Sequence, residues 1–517
     1  MQFRLNSYTR QNLLRRRVEP IAAVLALVTF VCAAATSRAA NQTPTVSPIQ
    51  LESELPYRIE VRPYSMGTAT VPTLHSYAVG EYDGKWVLVA GRTNGLHGFN
   101  GAAPDENFPA ATQNRDVWVI DVVNWQTWSR PLDAASGLTP AEIASLTPTN
   151  NQFYQSGGSL YVTGGYGRDE NDEFVTFDTL SAIDVAGLGD WVTNGTGTAA
   201  DSIRQIHDPL FQVTGGAMYD IDGRTHLVFG QDFQGPYRPA SNGVYTSQVR
   251  SFDVVDDGVN LSIMDATSSV PEDAYRRRDL NVFPVVRPDG GGGLDQGLVV
   301  LSGVFTLTNG AWTVPVEIDA TGNPTMADPN DPNAFKQGFN NYHSAKLGLF
   351  SELTGAMHEV LFGGISLQFR DEATDMVVLD NQLPFVNDIT AVVIDADGNF
   401  SQHHLGWFPE LTDLAGNRIR FGANAEFLPA DGIAAYQNGV IDLDQLAGQT
   451  VLGHIFGGLA ANAPHTRVSP STLSSASNLV WEVVLTPVPE PATWSLGCAL
   501  IAAIASWRRT LGAARRR

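Results

Sequence analysis

Aromatic and charged side chains recur at a fixed place in this 517-residue chain, in the loops that follow short glycine-ended apolar runs. Those loops carry Arg92, Asn94 and His97; Tyr166, Arg168, Asp169 and Glu170; Asp232, Phe233, Tyr237 and Arg238. They continue with Gln368, Phe369, Arg370 and Asp371, and end with His465 and Arg467. Flat aromatic faces beside Arg, Asp and Asn suit a carbohydrate, whose rings stack while its hydroxyls take paired hydrogen bonds. Arg92, His97, Tyr166, Arg168, Tyr237, Arg238, Phe369, Arg370, His465 and Arg467 are therefore the candidate ligand-binding face. The competing reading is that Arg–Asp pairs lock long loops in place.

Catalytic signatures are sparse, and no catalytic residue is assigned. No His-Glu-x-x-His, Gly-x-Ser-x-Gly or Walker loop occurs. Asp83-Gly84-Lys85-Trp86 is a fragment of the Asp-box turn of sialidase propellers. His403 and His404 are adjacent; strand neighbours point to opposite faces, so the pair reads as a solvated edge rather than a metal site. Two carboxylates from separate repeat units leave no sequence signature, so a hydrolase or lyase remains the alternative. Acids cluster at Asp220–Gly223, Asp253–Asp257, Asp328–Asp331 and Asp395–Asn399. From Asp395 the sixth and twelfth positions are Phe400 and Gly406, where an EF-hand needs Gly and Glu. No cofactor is expected; calcium is the one ion these turns could take.

The elements that position these loops repeat. An apolar run ending in a pair closed by Gly occurs at Trp86–Gly91, Leu160–Gly165, His226–Gly230, Leu298–Gly303, Glu359–Gly364 and Val451–Gly458. Such runs read as buried strands, and the terminal glycines as sharp turns or close backbone approaches. A strand and a tight turn precede several of them, with Asp83-Gly84, Gly157-Gly158 and Asp222-Gly223 as hairpin residues. A strand often ending in Asp follows, as in Asp116–Asp121, Glu173–Asp178 and Ile389–Asp395. Four strands per unit and six units is the grammar of an all-β propeller. The long last step leaves room for an extra hairpin at Ile419–Leu428 and Ile433–Leu443, so seven blades is the alternative.

The unit resembles the kelch repeat over residues 75–486, with true Gly-Gly pairs at 164–165, 363–364 and 457–458 and aromatic marks at Trp118, Trp125, Trp128 and Trp481. The resemblance implies a kelch-like β-propeller over residues 57–487. In it Tyr57–Val61 would close the ring as the outer strand of the last blade. Kelch-type oxidases rely on a Cys–Tyr crosslink at copper. The two cysteines here, Cys32 and Cys498, lie in the terminal segments, which excludes that chemistry and any body disulfide.

Both ends read as addresses. Residues 1–39 form a signal peptide: Arg15, Arg16 and Arg17, an apolar run at Ile21–Thr36, then small residues around Ser37 and Ala39. Residues 40–56 read as a linker. Residues 488–517 combine Pro489-Glu490-Pro491, the apolar helix Ala492–Trp507, and Arg508, Arg509 and a terminal arginine cluster. This order resembles the PEP-CTERM sorting signal of Gram-negative bacteria. The resemblance implies an exosortase as processing partner, transient inner-membrane anchoring, and delivery to the outer cell surface or extracellular polysaccharide.

Composition agrees with export of a folded body. Apolar residues make up 43 % and charged ones 17 %, enough for a core. The net charge of −22 disfavours nucleic acid as a partner. The sequence therefore points to an exported, non-catalytic propeller that binds or scaffolds exopolysaccharide or a surface protein.

Overall fold

The computed structural model describes residues 46–52, 54–238, 243–467 and 469–488. The expected signal peptide and sorting helix, with Pro489, Glu490, Pro491, Arg508 and Arg509, lie outside them.

The chain is mostly β and forms a β-propeller arrangement. Five four-stranded sheets and one six-stranded sheet follow one another. The first sheet shows the logic. Ala78–Tyr82 and Lys85–Val89 join through Asp83 and Gly84, both in the left-handed conformation that a two-residue hairpin needs. Asp116–Asp121 and Gln126–Pro131 then add outward in antiparallel order. Burial falls along the same path: Val87 and Val119 are sealed, while the fourth strand is largely open to solvent.

The innermost strands, Ala78–Tyr82, Gln152–Ser156, Ala217–Ile221, Asn281–Pro288, Ala345–Ser351 and Ala425–Pro429, touch in sequence order. Leu428 and Phe456 pack against Val79, Trp86 and Leu88, joining the last sheet to the first. Tyr57–Tyr64 pairs antiparallel with Val480–Pro487 over its full length as the outer strand of that last sheet. Its inward side chains Tyr57, Ile59 and Val61 share one apolar core with Trp481, Val483 and Leu485.

Three expectations are corrected. The stretch 40–56 is not only a linker: Ile49–Gln50 adds a parallel strand beside Gln402 and His403, and the side chain of Gln402 donates to the Ser47 carbonyl. The proposed extra hairpin does not form. Ala425–Pro429 is the inner strand of the last sheet, whereas Ile441–Asp442 runs parallel to Leu349 and Phe350 of the preceding one. His404 is no solvated edge. It is buried with Nε2 3.2 Å from an Asp388 carboxylate oxygen, because its strand is covered by the arm carrying Arg370.

Glu359 lies in Ala356–Phe362, an interior strand of the six-stranded sheet, fully buried, and both carboxylate oxygens lack a hydrogen-bond partner. Burial raises its pKa well above the carboxylate range, against a smaller opposing pull from Arg287. A raised folded-state pKa means stability present at acid pH and lost as pH climbs past the unfolded value. Glu359→Gln should therefore match the wild type near pH 4 and exceed it by about 1–3 kcal/mol at pH 9, read from urea unfolding midpoints. Equal pH dependence in the two proteins would overturn this.

Candidate functional site

Each glycine-ended run finishes in two consecutive left-handed residues. The pairs are Ala90-Gly91, Gly164-Gly165, Phe229-Gly230, Ser302-Gly303, Gly363-Gly364 and Gly457-Gly458, all with positive φ. The second residue reaches into the neighbouring sheet: the Gly91, Gly165, Gly230 and Gly458 amides donate to Pro148, Val213, Arg277 and Leu74 carbonyls. The pair thus throws the chain onto one face while stitching consecutive sheets together.

A second set of left-handed residues sits just before the inner strands: Ser76, Asn150, Gly215, Asp279, His343 and Asn424. Their backbones join head to tail around the axis. Asn150 N–H donates to Ser76 O, Gly215 to Asn150, Asp279 to Gly215, Asn424 to His343, and Ser76 to Asn424, at 2.7–3.3 Å. The remaining step, from Asp279 to His343, is bridged by side chains, with His343 Nδ1 3.8 Å from Asp279 Oδ1. Asn150 also donates its side-chain amide to Asp279 Oδ1 at 3.2 Å, reaching past Gly215.

Above this collar lies an aromatic and cationic cluster. His97 stacks on Phe108 at 5.1 Å and meets Tyr237 edge-on at 4.5 Å. Tyr166 packs against Phe108, Phe174 and Phe233 at 5.2–5.6 Å. Arg92 lies over Phe108, Arg168 over Phe174, and Arg467 over Phe99. Arg92, His97, Tyr166, Arg168, Tyr237 and Arg467 therefore belong to one assembly, although they come from four different loops. Much of it is interior: Arg92 and Tyr166 are buried, and the Tyr166 hydroxyl donates to Gly235 O. Burial holds the His97 imidazole down at about 4 and pushes the Arg92 guanidinium to about 10, so at neutral pH His97 is uncharged.

The other four candidates stand apart. Phe369 and Arg370 occupy the hairpin Gln368–Asp371 with Met376–Leu379, where Arg370 pairs with Asp375 at 2.8 Å and stacks on Trp407. His465 pairs with Asp380 at 2.9 Å. Arg238 is exposed at the edge of the described residues.

Several residues near the axis carried no sequence signal. Arg278, buried, lies 3.7 Å from Asp279. Burial works against its charge, but Asp279, Tyr245 and Tyr237 together hold its pKa above the usual value. Further along the inner strands, Lys346, Glu426 and Tyr219 come from three sheets and interact. The signal that could have found them is position: Lys346, Glu426 and Tyr219 lie on inner strands, and Arg278 lies three residues before one.

The acidic turns have a structural role. Asp289, Asp319, Asp395 and Asp413 each accept backbone N–H bonds from residues two and four positions on, closing their own turn. Among the described residues, no group of three or more His, Cys, Asp or Glu is placed to hold a metal ion.

No family model matches this chain, and no curated protein matches it. Solved structures do resemble it. One, titled "Structure of YjhT", aligns with 82 % of this chain and 100 % of its own, at 12 % identity and a TM-score of 0.41.

Proposed function

We propose that this protein is an exported, six-bladed kelch-type propeller, sorted by its PEP-CTERM-like tail and processed by an exosortase. At the cell surface or in the extracellular matrix it binds exopolysaccharide without cutting it. The six-stranded sheet reads as a blade whose four central strands match the other five sheets, with Ile49–Gln50 and Ile441–Asp442 added at its margins. The observation that carries the binding reading is the convergence of Arg92, His97, Tyr166, Tyr237 and Arg467 over the axial collar containing Asp279 and His343. His97, Tyr237, Asp279 and His343 are half-buried, so polar edges and ring faces remain open to a sugar beside the sealed supporting layer.

The second reading is a carboxylate hydrolase or lyase. Glu426 faces Lys346, a cation that offsets its charge rather than a second carboxylate set across a bond to be cut. Glu81 beside Asp431, at the opposite end, is the observation in favour of catalysis.

Residues 40–487, titrated with the producing organism's exopolysaccharide, should bind saturably and leave polymer length unchanged. Tyr237→Ala should weaken that binding about tenfold, the loss of a stacking contact of ~1–1.5 kcal/mol. A fall in polymer length would establish the catalytic reading instead. No binding would end the glycan assignment and favour a protein partner.

A further inference from the structure

A cavity of about 530 Å³ opens at the end of the propeller opposite the aromatic cluster. Inner strands of three sheets wall it. Ala78–Tyr82 supplies Val79, Glu81 and Tyr82; Gln152–Ser156 supplies Phe153 and Gln155; Ala425–Pro429 supplies Phe427, and Asp431 follows that strand. Its chemistry is one-sided. Glu81, Asp83 and Asp431 line it, and no Lys, Arg or His does.

Three features fit this cavity to a positive group. Glu81 is half-buried, and its Oε1 turns into the wall with no hydrogen-bond partner, so nothing in the protein offsets the charge of this carboxyl. Burial, then the nearby Asp431, pushes the Glu81 carboxyl up to about 7, so much of it is held protonated for want of a counter-charge. Gly84 leaves the Asp431 carboxylate room, since a Cβ there would come within 2.8 Å of Asp431 Oδ2. Glu81 is also held in place. Its amide donates to Gln155 Oε1 at 2.6 Å, and Gln155 Nε2 donates to its carbonyl at 2.8 Å. The rings of Tyr82, Phe153 and Phe427 complete the walls, and aromatic faces attract both cations and the apolar faces of sugars.

We propose that this cavity binds an amino sugar, its ammonium seated between Glu81 and Asp431 and its ring against Phe153 and Phe427. The volume accommodates a monosaccharide with room for a linked neighbour. An N-acetylated or neutral sugar would leave Glu81 without its counter-charge and so binds less well. This site is separate from the aromatic face and so independent of the binding reading above; it shares Glu81 and Asp431 with the catalytic reading, which polymer length tests separately.

The test uses the full body, residues 40–487, titrated with glucosamine, N-acetylglucosamine, glucose and methylammonium at 0.15 M salt, where diffuse attraction to the acidic surface is screened. Line broadening of ligand proton resonances reports binding. Glucosamine should bind at least tenfold more tightly than the other three. Glu81→Gln and Asp431→Asn, each checked for an unchanged unfolding midpoint, should each reduce that preference about tenfold. If either variant folds poorly, Phe153→Leu replaces it and should weaken glucosamine about threefold. Equal binding of glucosamine and methylammonium would mean general charge attraction and overturn the proposal, as would full retention of the preference in both carboxylate variants.

Discussion

Gly363→Ala is expected to destabilise the body by at least about 4 kcal/mol, enough to unfold a marginal protein at room temperature. Gly363 has φ 62°, and a Cβ there would collide with the Phe421 carbonyl oxygen, which is backbone of the next sheet and has no rotamer to change. The left-handed conformation alone costs a side chain about 1–2 kcal/mol. The rest comes from pushing two sheets apart at a point where Gly364 N–H bonds Phe421 O. Gly223→Ala is the matched control. Its φ is 86°, but nothing lies within 4 Å of the added carbon, so it should cost only the conformational share. Urea unfolding of the three proteins checks this; similar midpoints for the two variants would show that the sheets yield easily.

The second large effect concerns closure of the ring. Deleting residues 1–64 removes the strand Tyr57–Tyr64 and takes Tyr57, Ile59 and Val61 from the core around Trp481. Three buried side chains at ~1.5–3 kcal/mol each approach the whole stability of an ordinary domain. Val480–Pro487 would also become an exposed, apolar edge, a template for pairing with another chain. The truncated protein should show no cooperative unfolding and should elute as aggregates in gel filtration. A monomeric, cooperatively folded 65–517 chain would show that the ring stands without its clasp.

Why these elements were readable and others were not follows from range. The runs ending in Ala90-Gly91, Gly164-Gly165 and Gly363-Gly364 are legible because two successive left-handed residues impose a local demand that few residue types meet. The hairpin at Asp83-Gly84 is legible for the same reason. The loop hairpins were not. Leu459–Ala461 with Ser474–Ala476 is three residues per strand and carries no periodicity. Phe174–Thr176 falls in the run Glu173–Asp178 read as a blade strand, but it pairs with Tyr166–Arg168 in a loop, and Thr179–Asp184 is the strand of the sheet. The aromatic face was legible in part. Type and position singled out Arg92, His97, Tyr166 and Tyr237, but whether a loop aromatic faces solvent or its neighbours depends on the other loops. Tyr166 turned inward because Phe108, Phe174 and Phe233 surround it. Glu81 with Asp431, and Lys346 with Glu426, unite residues far apart in sequence, and only the closed ring makes them neighbours.

Val480–Pro487 ends the described chain yet is an interior strand, flanked by Tyr57–Tyr64 on one side and Thr450–Gly457 on the other. Val488 N–H still bonds Pro56 O at 2.8 Å, one step beyond the strand pairing. A force pulling on the C-terminus along the strand meets both ladders in shear, many hydrogen bonds sharing the load at once. An edge strand in the same place would unzip one bond at a time. A body held from this end and dragged by flow would resist as a riveted joint does.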